Sequence, residues 1–310
     1  MKKILVIHYS QTGQLTRILN AITAPLSTDP EIQLTFETIW PANPYPYPWN
    51  LIRFLEAMPT ANQFEKIEIE PLKIRCDENF DLIILGYQPW YLSPSPPVSS
   101  FLQSPEAEAL FRDRPVITII GCRGMWLMAQ EKMKCKLSGL GAHLIDNAVL
   151  VDQGGAMPSL LTTPNWLLRG KKEGYRNVIP EAGISEKDIA DSARFGVAIR
   201  HGMRNDYEKK QRSMLKGYGA VTIDDKLFFP EIFFNRMFTS WAKMIQSVSR
   251  YGPFPRQVGC ALFGIWLVCT VAICAPTGFI LGPLIAPFYK RKIQELVSYF
   301  EKPSGSTRTN

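Results

Sequence analysis

Three hydroxyl side chains stand close together near the N-terminus, in a segment that carries no charge. The segment follows an apolar stretch, ILVIHY (4–9), and precedes residues with the apolar spacing of a helix. The start of a helix offers unpaired N–H groups and a partial positive charge, so hydroxyls placed there can hold a phosphate. We name this segment the phosphate loop; its residues are Ser10, Gln11, Thr12, Gly13, Gln14, Leu15 and Thr16. The alternative is a turn that merely caps the helix, where Ser, Thr and Gly are the usual residues.

The elements that would position this loop alternate between strand and helix. Apolar, β-forming runs predict strands at 4–9, 32–39, 81–86, 115–121 and 141–152. Apolar spacing and capping residues predict helices at 14–26, 51–58 and 185–202, with others near 98–103 and ending at about 137. This alternation predicts an α/β fold, a doubly wound five-stranded parallel sheet between layers of helices. Ligands of such sheets bind at the carboxyl ends of the strands.

Two further loops follow strands of this predicted sheet. Pro89, Trp90 and Tyr91 come after the third strand, and Cys122, Arg123, Gly124 and Met125 come after the fourth. Together with the phosphate loop, they resemble the three cofactor loops of flavodoxins and related FMN reductases over roughly residues 1–200. The resemblance implies FMN as the cofactor and the strand order 2-1-3-4-5. The lack of a GxGxxG motif fits a mononucleotide with one phosphate.

One position departs from the resemblance, and three others are candidates for chemistry. Leu15 stands where the related loops have Thr, and a Thr follows at the next position. Arg123 would stabilise a reduced, anionic flavin ring, the alternative being a solvated surface arginine. Tyr87 and Asp152 end predicted strands and could handle a substrate proton. His8 is expected to be a buried, hydrogen-bonded histidine, the alternative being an acid or base. Cys122 is expected to be a small packing residue, the alternative being a nucleophile, and the cysteine spacing predicts no metal site.

Aromatic and proline residues are concentrated in two blocks near the expected flavin face, 40–59 and 87–101. With the opening residues and an apolar C-terminal segment, they resemble the flavodoxin-like family of dialkylresorcinol biosynthesis. That resemblance implies dehydrogenation of a lipophilic cyclic diketone to an aromatic ring, alongside partner enzymes of the same pathway. The alternative is a membrane-tethered electron-transfer module or NAD(P)H:quinone reductase, with NAD(P)H as electron donor. A scaffolding role for the aromatic residues also stays open.

The basic charge of the chain belongs to its last third. Residues 1–200 carry 20 Lys and Arg against 21 Asp and Glu, whereas residues 201–310 carry 15 against 7. The run 258–289 has no charged residue, and basic residues flank it. Such a pattern favours a membrane lipid surface on the cytoplasmic side of the inner membrane. Nucleic acid is the weaker interpretation, because the aromatic residues are not interleaved with the charges.

The C-terminal third is predicted to associate with the membrane in two parts. An amphipathic helix at 227–248 would lie in the interface, with an apolar stripe of Phe229, Phe233, Met237, Trp241 and Ile245 and with Glu231 on the polar side. The run 258–289 would form a hairpin broken at Pro276–Gly278, a single span or a globular helix pair being the alternatives. The predicted divisions are a flavodoxin-like domain at 1–202, a linker and interfacial helix at 203–257, and a membrane segment with a basic tail at 258–310.

Overall fold

A computed structural model of the chain describes residues 1–154, 164–172 and 181–301, with backbone alone at 274–290 and 292. Its strands are β1 (Lys2–His8), β2 (Ile32–Thr38), β3 (Leu82–Tyr87), β4 (Pro89–Trp90), β5 (Ser93–Pro94), β6 (Pro115–Cys122) and β7 (His143–Val151). Its helices are α1 (Gln14–Ser27), α2 (Leu51–Asn62), α3 (Pro96–Phe101), α4 (Pro105–Phe111), α5 (Leu127–Gly139), α6 (Glu186–Asp191), α7 (Ala193–Arg204), α8 (Phe228–Ser249) and α9 (Pro253–Glu301). A further helical stretch covers 164–169.

The five long strands form one parallel sheet in the order β2-β1-β3-β6-β7. The three central strands are almost wholly apolar, which is typical of parallel strands covered by helices on both faces. The order reverses beside β1, and the carboxyl ends of β1 and β3 lie side by side because His8 pairs with Gly86. This confirms the predicted doubly wound, flavodoxin-like sheet with order 2-1-3-4-5.

Two apolar cores lie on the two faces of the sheet. One core joins α1 and α7 to the sheet through residues such as Ile18, Leu19 and Phe195. The other joins α3, α4 and α5 to the opposite face, and it also contains Phe228 and Phe300. The segment 203–257 was predicted to be a linker and an interfacial helix. Parts of it pack on the domain, because Met214 and Leu215 belong to the first core and Phe228 belongs to the second.

The helix pair α8–α9 forms a third apolar cluster beside α2. Phe238, Ile245 and Phe263 are fully or nearly buried along the seam between the two helices. The predicted interfacial stripe is therefore divided, because Ile245 is buried in the seam whereas Phe229 and Phe233 are 42% and 43% exposed. Glu231, predicted on the polar side, is fully buried against the sheet domain. The apolar spacing alone did not show that residues on both sides of α8 contact other parts of the protein.

The long helix α9 is not straight. Its Phe263 ring lies 5.6 Å from Phe238 and its Phe300 ring lies 6.0 Å from Phe228. Along α8, those two partners are about 15 Å apart, so the two α9 rings are separated by roughly 30 Å at most. A straight helix from Phe263 to Phe300 would span about 55 Å. The helix therefore bends back, and both of its ends pack on the same domain.

The predicted break at Pro276–Gly278 does not end the helix, which extends without interruption from Pro253 to Glu301. Proline inside a helix removes one hydrogen bond and kinks the axis without ending the helix. By length and composition, the stretch Pro253–Ile273 is long and apolar enough to cross a membrane. Among the described residues, the structure thus has one candidate span, and both ends of its helix pack on the domain.

Candidate functional site

The phosphate loop lies at the carboxyl end of β1, beside the ends of β3 and β6. Gly13 adopts a left-handed conformation, with φ of 76°, just before α1 begins. A side chain at this position would strain the backbone, although a Cβ there would meet nothing within 4 Å. Glycine is therefore required by conformation and not by crowding.

Most side chains of the loop are held by other parts of the protein. The Gln11 Oε1 accepts a hydrogen bond from the Trp49 indole, and its Nε2 donates to the Pro46 carbonyl. Gln14 is buried and donates to the Ile184 carbonyl. Leu15 lies in the apolar core, so its departure from the related loops removes a hydroxyl from the site. The Gln and Leu side chains thus fix the loop, and their backbone N–H groups are the parts that could bind an anion.

Thr16 does not replace the missing hydroxyl, because it is engaged with His8. The Thr16 hydroxyl lies 2.9 Å from His8 Nε2. Burial lowers the pKa of His8, so its imidazole is neutral at neutral pH. His8 is a buried histidine, as predicted, and the interaction anchors the first turn of α1 to β1.

Ser10 and Thr12 are different from the rest of the loop. Their hydroxyl oxygens are buried, and neither has a hydrogen-bond partner among the described residues. Buried polar groups are nearly always paired, and each one left without a partner costs about 1–3 kcal/mol. Two such hydroxyls beside a helix N-terminus form a donor set that suits a phosphate group.

Trp90 belongs to an aromatic cluster that stands next to the phosphate loop. Its ring packs edge to face with Tyr9, Tyr45 and Trp49, at centroid distances of 6.0, 5.0 and 5.1 Å. Trp49 in turn donates its indole hydrogen bond to Gln11. The cluster is thus tied to the loop, and Trp90 remains the candidate for stacking on a flat ring.

Tyr91, the next residue, faces the opposite direction. Its hydroxyl donates to the Phe54 carbonyl at 2.6 Å, and its ring packs on Phe238 and Phe263. The expectation that Tyr91 contacts the cofactor is therefore corrected: its side chain joins the β4–β5 hairpin to the C-terminal helices. Pro89 is half-buried and pairs with Pro94 across that hairpin.

The loop after β6 carries one cation beside one buried carboxylate. Burial lowers the pKa of the Arg123 guanidinium to about 10, and the Asp152 carboxylate opposes this shift. Arg123 is therefore still positive at neutral pH. Burial raises the pKa of the Cys122 thiol, which is thus a packing residue and not a nucleophile. Gly124 has a φ of 150°, and Met125 packs toward the α8–α9 cluster.

Asp152 and Tyr87 are both committed to hydrogen bonds within the protein. The two Asp152 carboxylate oxygens accept from the Gly154 and Gly183 backbone amides at 2.7 and 2.6 Å. The Tyr87 hydroxyl is fully buried and donates to Gln130 at 2.7 Å. Burial also raises the pKa of Tyr87 well above its ordinary value. Neither group is placed to exchange a proton with a substrate, which corrects that expectation for both.

The sequence did not single out two features of the site. Tyr45 and Trp49 lie in the aromatic block at 40–59, and the proline-separated aromatic pattern YPYPW was the signal for them. Glu231 gave no signal, because it lies far along the chain in a helix with an amphipathic pattern. Its carboxylate accepts from the Met128 amide at 2.7 Å, at the start of the helix that follows the Cys122–Met125 loop. Burial raises the pKa of Glu231 to about 8, against the opposing effect of the first backbone amides of α5.

Comparison with known proteins gives distant structural likenesses. A flavoprotein in complex with FMN from Lactobacillus acidophilus NCFM is 18% identical, with 48% of this chain and 93% of that chain covered and a TM-score of 0.39. A putative flavoprotein from Bacteroides eggerthii DSM 20697 is 19% identical, with coverages of 48% and 89% and a TM-score of 0.38. A flavodoxin from the domain Archaea is 13% identical, with coverages of 65% and 99% and a TM-score of 0.36. No protein-family model and no curated protein matches the chain. Likenesses this weak do not establish a cofactor, so the assignment rests on the site itself.

Proposed function

We propose that this protein is an FMN-dependent oxidoreductase. The observation that carries the proposal is the pair of buried hydroxyls without partners, Ser10 and Thr12, at the N-terminus of α1. A phosphate held there receives neutral donors from the loop and the favourable end of the helix dipole. Bound FMN would supply hydride and electron-transfer chemistry at its ring. The aromatic cluster around Trp90 would cover the ring, and Arg123 would favour its reduced, anionic form.

The substrate that we infer first is a lipophilic cyclic diketone, which the protein would dehydrogenate to a dialkylresorcinol-type ring. The aromatic residues around the site support an apolar ring as ligand. Quinone reduction, with electrons from NAD(P)H or a partner protein, is the second candidate. The placement of Tyr87 and Asp152 favours it, because a quinone reductase can take its protons from water.

We further propose that α8 and α9 hold the protein on the cytoplasmic face of the membrane. The apolar side of α9 that faces away from the domain supports this, since Leu262, Ile265 and Val268 are 51%, 63% and 69% exposed. Arg250 precedes the uncharged run of α9 and Arg291 follows it; both are exposed and could meet acidic lipid headgroups. The bend in α9 supports a segment that dips into one leaflet and returns.

A flavin titration tests the cofactor assignment. In the double variant Ser10→Ala with Thr12→Ala, full-length protein in detergent should bind FMN about tenfold or more weakly, because hydrogen bonds to a charged group contribute about 1.5–3 kcal/mol each. Affinity for riboflavin, which has no phosphate, should stay the same. The matched control is Ser27→Ala with Thr28→Ala, which removes two exposed hydroxyls at the other end of α1. Unchanged FMN affinity, or an equal loss for riboflavin, would refute the phosphate loop.

A further inference from the structure

The exposed apolar surface of α9 continues onto the start of α2. Leu51 and Ile52 are 56% and 59% exposed, although each is a large apolar side chain at the beginning of a helix. Ile52 and Val258 line one groove of about 280 Å³, which also has Leu55, Gln257, Cys260 and Ala261 in its walls. We name the surface formed by Leu51, Ile52, Val258, Leu262 and Ile265 the apolar platform. Soluble proteins rarely expose a large continuous apolar patch unless it contacts a partner or a membrane.

The apolar platform is joined to the candidate site through the start of α2. Asn50 caps the helix by accepting from the Ile52 amide at 2.8 Å, which fixes the orientation of the first turn. The preceding residue, Trp49, packs on Trp90 and donates to Gln11 in the phosphate loop. Phe54, one turn into α2, packs on Trp49 and Tyr91. The platform and the aromatic cluster are therefore opposite ends of one short, hydrogen-bonded segment.

The charges around the platform fit an acidic lipid surface. Arg53 follows Ile52 directly; its side chain is 72% exposed and lies 3.9 Å from the Glu56 carboxylate one turn further along α2. Lys243 is exposed on α8, the helix that packs against the first part of α9, and Arg250 is exposed directly after the end of α8. Apolar side chains ringed by cations are typical of surfaces that lie in the headgroup region of an anionic bilayer. A second protein copy would bring the same cations together and would be repelled.

We propose that the apolar platform rests on a bilayer with acidic headgroups and sets the cofactor site at the membrane surface. The site then takes a ring compound with a long alkyl tail from the bilayer and not from water. The inference rests on the proposed FMN-dependent activity only in the second of the two tests below, which measures flavin reoxidation. The first test measures contact with lipid and needs no flavin. It adds α2 to the membrane-binding surface and explains why the apolar residues at the start of α2 are left uncovered.

The contact test uses the full-length chain in vesicles of phosphatidylcholine and phosphatidylglycerol. The photoreactive residue p-benzoylphenylalanine is placed at Leu51 or, as the control, at Val197, which is 43% exposed on α7. Illumination should give a phospholipid adduct, seen by mass, at position 51 and none at position 197. A protein–protein crosslink at position 51 would assign the platform to a second copy and overturn the proposal, as would equal lipid labelling at both positions.

The kinetic test uses protein loaded with FMN, photoreduced without oxygen, and then mixed with a quinone. The reduced, anionic flavin would pass two electrons and one proton to the quinone, and water would supply the second proton, which gives oxidised flavin and a quinol. With a long-tailed quinone held in the vesicles, Ile52→Asp should slow flavin reoxidation about tenfold, because a carboxylate at the platform opposes docking on acidic lipid. With a water-soluble quinone that has no alkyl tail, the rate of flavin reoxidation should be the same in Ile52→Asp and in the wild type.

The control for the kinetic test is Val197→Asp, which adds the same charge to another exposed apolar position of a helix. It should leave both rates unchanged. Equal slowing of Ile52→Asp with both quinones would point to damage at the site, and no slowing with either would show that the platform is not used; either result overturns the proposal. Failure to bind FMN would instead refute the proposed function and leave the contact test to decide the platform.

Discussion

The sheet domain and the helix pair α8–α9 are both rich in apolar residues, but they bury them differently. Central strand residues such as Val6, Ile84 and Ile119 are fully buried, because helices cover both faces of the sheet. In α9, Phe263 is fully buried whereas Ile265, two positions later, is 63% exposed. Apolar residues thus form a fully covered core in the sheet domain, whereas in the helix pair they are buried on one side of α9 and exposed on the other. The difference shows that apolar content predicts burial only where the fold provides cover on every side.

The two regions also differ in how closely their helices approach each other. In the sheet domain, a Cβ at Gly196 of α7 would overlap the backbone carbonyl of Ile22 in α1. Beside the helix pair, a Cβ at Gly264 of α9 would lie 2.8 Å from the end of the flexible Leu55 side chain in α2. Backbone cannot move aside, whereas a side chain can change its rotamer.

The largest expected effect is therefore in the sheet domain. Gly196→Ala should lower the free energy of unfolding by about 3 kcal/mol, since the clash with backbone exceeds the gain of about 1 kcal/mol in helix propensity. Thermal unfolding in detergent measures it. The control is Gly139→Ala in α5, where a Cβ would meet nothing within 4 Å, and this variant should be neutral or slightly more stable. An unchanged melting temperature for Gly196→Ala would show that α1 and α7 are not this close.

A second prediction concerns the junction between the two regions, where Glu231 of α8 contacts the start of α5. Its pKa is raised from the ordinary 4.5 to about 8 by burial, so between these values the folded protein holds a proton that the unfolded chain lacks. The stabilising contribution of this carboxyl to the free energy of unfolding is therefore complete below about pH 4.5, and it is lost as the pH rises toward 8. Glu231→Gln does not titrate, so the wild type should lose stability relative to the variant across this range.

Melting temperatures at a series of pH values measure that difference. The Cys122 thiol and the Tyr87 hydroxyl lie near the carboxyl, and burial keeps both neutral throughout the range. Glu301→Gln is the matched control, since Glu301 is exposed at the end of α9 and should show no such trend. If the difference between wild type and Glu231→Gln were constant with pH, the carboxyl would not be buried at this junction.

The smallest expected effect is at Gly264. Gly264→Ala should change the free energy of unfolding by less than about 1 kcal/mol, because the gain in helix propensity offsets the displacement of the Leu55 side chain. The same thermal measurement applies, and Leu55→Ala with Gly264→Ala should relieve the remaining crowding. A loss as large as that of Gly196→Ala would mean that α2 and α9 are packed as rigidly as the domain core, and the contrast between the regions would fail.

Much of the sheet domain could be predicted from the chain alone. The five predicted strands agree with β1, β2, β3, β6 and β7 to within a few residues, because buried parallel strands are short apolar runs between polar turns. The β4–β5 hairpin and α4 were missed, since two-residue strands and a two-turn helix are too short to show a period. The phosphate loop could be predicted because its residues are contiguous and its polar side chains follow a strand directly.

The roles of individual side chains were decided by tertiary structure. Which loop hydroxyls stay free depended on partners elsewhere in the chain: Thr16 is engaged by His8, whereas Ser10 and Thr12 have no partner among the described residues. Tyr91 was assigned to the site because it follows Trp90, but it lies in the tight turn between β4 and β5, with a φ of 49°, and its ring packs on Phe238 and Phe263 instead.

The sequence by itself determined the alternation of strands and helices, the phosphate loop and the apolar, basic character of the last third. These features are local, because each depends on the order of neighbouring residue types. Only the tertiary structure decided that Glu231 is buried under α5, that α9 bends back to the domain and that Leu51 and Ile52 continue its exposed surface. Each of these depends on contacts between distant segments, and burial is a property of what the fold brings alongside a residue and not of the residue itself.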